Sequence, residues 1–173
     1  MSPSGAPTPA DRRDVDVDVD VVAAQLGRPA RGTFTVAHRC PCSLPDVIAT
    51  APRLADGTPF PTLFYLTCPR ANSAIGTLEA SGLMASMTER IHTEEGLAGR
   101  YAAAHEDYLR RRDDIGQLPT RESAGGMPTR VKCLHALVAH SLAAGPGVNP
   151  FGDEARGLLP QWWVAGPCVE RTG

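Results

Sequence analysis

Residues 33–67 read TFTVAHRCPCSLPDVIATAPRLADGTPFPTLFYLT, and the fold turns on how this stretch divides. Three runs have strand character, residues 33–38, 46–51 and 62–67, and the Pro, Asp and Gly residues between them favour turns. The simplest arrangement is a three-stranded antiparallel meander. Alternate strands of a meander end at the same edge of the sheet. His38-Arg-Cys-Pro-Cys42, after the first strand, and Thr67-Cys-Pro-Arg70, after the third, are therefore predicted neighbours.

Beyond the meander the spacing of apolar residues becomes helical. Helices are predicted over 71–80 with a stop at Gly82, over 83–91, from 94 to about 113 and over 129–144, with a shorter one near 153–159 and a Trp162-Trp163 tail. Upstream, residues 1–14 are rich in Pro, Ser, Thr and Ala without periodicity and read as a disordered tail. DVDVDVDV alternates like a strand, but Asp is a poor strand residue, and VVAAQL before Gly27 predicts a short helix with a glycine stop. The expected fold class is α+β: one domain over 15–173, with the small meander packed against a helical C-terminal half.

Composition narrows the function classes. The chain has 173 residues, 42% apolar and 21% charged, enough to bury a core. No run is long and apolar enough to span a bilayer, and the N-terminal stretch has no apolar run suited to a signal peptide, so a cytoplasmic location is expected. Five cysteines in such a chain argue for reduced thiols, hence metal binding or thiol chemistry rather than a disulfide framework. A net charge of −2 disfavours nonspecific nucleic-acid binding. The cations are sixteen arginines and one lysine, Lys132, which stands beside Cys133.

Cys40, Cys42, Cys68 and Cys133 form the predicted metal set, with Cys168, His38 and His140 in reserve. Cys133 is placed in the first turns of a helix, where the helix N-terminus favours a thiolate; His140, seven residues on, shares its face, and His135 points elsewhere. Zinc or an iron–sulfur cluster would suit such a set, although Cys-Pro-Cys is a weaker signal than paired C-x-x-C knuckles. The competing reading is that these cysteines are small buried hydrophobes.

Arg39, Arg70, Arg130 and Lys132 flank the cysteine segments, and the Gly125-Gly126 turn offers backbone N–H groups to an anion. Arg39, Arg70, Gly125, Gly126 and Lys132 are accordingly the expected anion-binding residues. Catalytic candidates are Cys133, His135 and His105. His105, Tyr108 and Arg112 share a helix face that lines either a polar cleft or a packing contact, and Arg110 to Arg112 read as a surface neutralised by Asp113 and Asp114. Phosphate-loop, dinucleotide, H-E-x-x-H and G-x-S-x-G motifs are absent.

The motifs HRCPC-LPDVI, PFPTLFYLTCPR, HEDYLRRR, SAGGMPTRVKCLHALVAH and NPFGDEA together resemble the bacterial, mainly actinobacterial, domain of unknown function 501 family over about residues 20–170. Ser43 departs from the glycine expected after Cys-Pro-Cys. The resemblance implies no reaction. The family's gene setting implies partners in cell division or polyphosphate metabolism, by association only. Three functions stay open: a metal- or cluster-binding domain, a thiol enzyme on an anionic phosphate or carboxylate substrate, and an interaction module with Trp162 and Trp163 as anchors.

Overall fold

The structure, a computed structural model, describes residues 9–171. Strands β1 (Phe34–Arg39), β2 (Pro45–Thr50) and β3 (Phe64–Leu66) form one sheet in the order β1-β2-β3, both pairs antiparallel. This is the expected meander. β2 pairs on both sides and is buried along its whole length, Asp46 and Thr50 included. Successive side chains point to opposite faces: Val47 and Ala49 join the main core, whereas Ile48 faces Leu26, Phe60 and Tyr65.

Helix α1 (Pro9–Leu26) is longer than the sequence predicts; the first eight residues of the expected tail lie outside the described residues, and the next six open this helix. Val21 and Val22 are buried while Val15 and Val19 stay exposed, so the Asp-Val repeat supplies an apolar contact only near its end. Gly27, at φ 69°, closes the helix in the left-handed conformation that a Cβ disfavours.

The C-terminal half is helical: α2 (Pro69–Glu79), α3 (Leu83–Thr93), α4 (Leu97–Ile115), α5 (Leu134–Ala144) and α6 (Pro150–Leu158). Helix α5 packs on all three strands and on α6, and seven of its residues are buried. Its contact with α6 is backbone-close, because a Cβ on Gly152 would stand 2.2 Å from the carbonyl oxygen of Leu137. Asn149 caps α6, accepting from Gly152 N at 2.9 Å, and also contacts His140 Nδ1 at 3.1 Å. That is why α6 starts at Pro150 and not near residue 153.

One helix boundary bears on function. The sequence predicts a helix from residue 129, yet α5 begins at Leu134. The intervening backbone donors are taken by the loop and a neighbouring helix: Thr129 N and Arg130 N donate to Gly126 O, Val131 N to Thr88 Oγ1, and Lys132 N to Gly125 O. Residues 129–133 therefore run outside the helix, and Cys133 is its N-cap residue, with extended φ −151° and ψ 111°.

The 105–112 stripe proves to be a packing network. Tyr108 OH accepts from Leu63 N at 2.7 Å, and Arg112, fully buried, donates to Glu122 O at 2.6 Å and Thr120 O at 2.8 Å. Arg112 thus leaves the predicted surface triplet to hold the 116–123 segment against α4, while Arg110 and Arg111 pair with Asp107.

Candidate metal centre

The start of α5 leaves N–H groups without intrahelical acceptors. Cys133 makes no side-chain cap; the carboxylate comes instead from Glu79, the last residue of α2, whose Oε1 accepts from Leu134 N at 2.7 Å. The same Oε1 lies 3.1 Å from His135 Nδ1. On the other side of the ring, Nε2 lies 3.1 Å from the carbonyl oxygen of Asn72, and Asn72 in turn donates to Leu66 O at 3.1 Å. The histidine is held at both nitrogens by one helix, α2, which is itself tied to β3.

One ligand atom each from Glu79, Cys133 and His135 can be chosen so that all lie within 4.8 Å of one another, the only such group of three among the described residues. Around a tetrahedral ion with bonds of about 2.0–2.3 Å, neighbouring donors stand roughly 3.3–3.8 Å apart.

Hydrogen-bond chemistry fixes the charge this site asks for. A carbonyl oxygen only accepts, so His135 Nε2 carries a proton, and a neutral ring would then aim the Nδ1 lone pair at the Glu79 carboxylate. That arrangement is repulsive unless a cation stands between them, either a proton or a metal ion. In the metal-free protein the cation is the proton. Contact with the Cys133 thiol, then the Glu79 carboxylate, pushes His135 up to about 9 against the opposing effect of burial.

Cys133 and His135 open onto a cavity of about 400 Å³ between β3, the start of α5 and the 123–125 loop, with Phe64, Leu66 and Asn72 on its walls. α4 braces that loop: besides the Arg112 bonds, His105 Nδ1 lies 2.8 Å from Ser123 Oγ. His105, a catalytic candidate from sequence, is buried there as a loop contact.

The remaining predicted residues fall elsewhere. Cys40 and Cys42 follow β1 and Cys68 follows β3 at one end of the sheet, where Thr67 N donates to Asp46 O at 2.8 Å. Their thiols meet in pairs. Cys40 contacts Cys42, and Cys68 contacts Cys168, whose sulfur also accepts from Gln25 Nε2 at 3.3 Å. Burial pushes Cys40 up to about 12 and Cys68 up to about 11. Cys133 stands with Glu79 and His135 instead of with these cysteines.

His140 does not partner Cys133. It is fully buried, 2.9 Å from Asp107 Oδ2, and the residue beside Cys133 is His135, which the helical-face argument had pointed elsewhere. His38 pairs with the buried Asp46 at 2.7 Å. Arg39 binds Asp18, and Arg70 donates to Gly166 O at 2.7 Å, so neither shares the Gly125-Gly126 cavity. Trp162 is buried against the core and Trp163 half-buried. Glu79 and Asn72 were missed from sequence; they lie 56 and 63 residues from His135 and leave no spacing signal.

No curated protein and no solved structure matches the chain. No described helix is long and apolar enough to cross a membrane. The sequence matches the family described as "Protein of unknown function (DUF501)" over residues 36–156, a span that takes in all but the first two residues of the sheet, α2 and its Glu79, the loop and α5, and the chain belongs to that family.

Proposed function

We propose that this protein binds a divalent metal ion of the zinc class through Glu79, Cys133 and His135. The observation that carries the reading is the convergence of a carboxylate, a thiol and an imidazole within 4.8 Å, with the imidazole fixed by a carbonyl on its far nitrogen. Such outer hydrogen bonds orient metal-binding histidines. One thiolate with nitrogen and oxygen donors suits zinc, whereas an iron–sulfur cluster wants several thiolates. Three protein donors leave a coordination position for water or substrate, and the adjoining cavity gives it access.

Competition titration of zinc against a chromogenic chelator tests this. The wild type should take up one ion per chain, and Cys133→Ser and His135→Ala should each weaken binding at least about tenfold. Equal zinc affinity in wild type and both variants would refute it. A second reading, Cys133 as a nucleophile beside His135, draws on the same contact and cavity; it predicts that zinc inhibits alkylation of Cys133 without being required for activity.

A further inference from the structure

The loop that walls the metal centre has a second cavity beside it. Its volume is about 440 Å³, and it shares Ser123, Ala124 and Gly125 with the first; the rest of its lining includes Gly126, Thr129, Arg130 and Lys132. Lys132 lines this second cavity while the next residue, Cys133, lines the first. The Ser123–Gly125 backbone is thus the boundary between a cationic compartment and the candidate metal centre.

The donors of this compartment are unsatisfied. Among the described residues the backbone N–H groups of Gly125 and Gly126 have no acceptor, although Gly125 O and Gly126 O accept from Lys132 N, Thr129 N and Arg130 N. Among the described residues, neither the Arg130 guanidinium nor the Lys132 ammonium has a carboxylate within ion-pair distance. Glu122 at the same cavity is the one opposing charge, and it pairs with neither. The loop geometry is obligatory: Gly125 and Gly126 have φ of 66° and 91°, and a Cβ would stand 2.6 Å from Leu137 Cδ2 at the first and 2.6 Å from Arg130 O at the second. Both backbones are held close to 130–133 with no side chain between.

We infer that this compartment binds a tetrahedral oxyanion of the phosphate class. Two backbone N–H groups, a guanidinium fork and an ammonium exceed what the two oxygens of a carboxylate accept, and they suit an anion with oxygens on several sides. The cavity exceeds the volume of phosphate alone, consistent with a phosphorylated small molecule. The anion site stands on its own lining and does not depend on the metal reading.

The test uses full-length protein, metal-free and zinc-loaded, titrated with inorganic phosphate at fixed ionic strength while the backbone amides are followed by NMR. Saturable downfield shifts of the Gly125 and Gly126 amides in both forms are expected. Affinity should drop at least about tenfold in Arg130→Ala/Lys132→Ala, whose side chains are exposed, and rise in Glu122→Gln. Unmoved glycine amides, or equal affinity in the double variant, would overturn the anion site whatever the zinc titration gives.

Discussion

Glu79 Oε1 accepts from Leu134 N and faces His135 Nδ1 at 3.1 Å, so one carboxylate oxygen both caps α5 and completes the candidate metal centre. The two roles separate by substitution. Glu79→Gln keeps an oxygen for Leu134 N but removes the charge, so zinc affinity should fall at least about tenfold, with a smaller drop in melting temperature than in Glu79→Ala. Glu79→Ala should lose the cap as well, at about 0.5–2 kcal/mol of stability. Chelator competition and thermal melting of the metal-free variants separate these effects.

His140 gives the pH dependence. Burial is the first cause of its lowered proton affinity, opposed by Asp107 and Asp153 and reinforced by Arg111, so its folded pKa lies below 6.5. The unfolded chain then binds the proton more readily, and stability is full above 6.5 and falls as pH drops through that value. His105, also lowered chiefly by burial, acts in the same direction. Chemical-denaturation midpoints should decline from about pH 7 to about pH 5, and less steeply in His140→Gln; an identical slope would contradict the assignment to His140.

The meander was legible because its turn residues punctuate runs of strand length, and the helix count followed from apolar spacing. The start of α5 was not legible, because it depends on hydrogen bonds accepted by Glu79 and Thr88, both distant in sequence, and by Gly125 across an irregular loop. That boundary also decided the site. Helical spacing pairs Cys133 with His140, but Cys133 lies outside the helix in extended backbone, which brings His135 beside it. Cys133 itself was legible as a thiol at a helix start; its carboxylate partner, supplied by α2, was not.

Thiol reactivity should follow burial. Cys40 and Cys68, 4% and 2% exposed and pushed up to about 12 and about 11, carry almost no thiolate near neutral pH. Iodoacetamide labelling followed by peptide mass spectrometry should modify Cys133 in the native metal-free protein, with zinc slowing it, and Cys40 and Cys68 only after unfolding. Native labelling of Cys40 as fast as that of Cys133 would contradict the packing described.

Gly152→Ala should destabilise the protein by more than about 2 kcal/mol, because the added Cβ meets backbone of α5 that cannot move aside. Zinc bound per folded chain should stay unchanged, since the added Cβ meets Leu137 and Ser141 and none of Glu79, Cys133 and His135. Denaturation curves with parallel metal analysis read both outcomes.

X-ray absorption at the zinc edge of the loaded protein addresses the metal centre most directly, because it counts donor types. Glu79, Cys133 and His135 predict one sulfur at about 2.3 Å with nitrogen and oxygen donors at about 2.0–2.2 Å. A shell of four sulfurs would contradict this centre and place the ion among the cysteines at the end of the sheet.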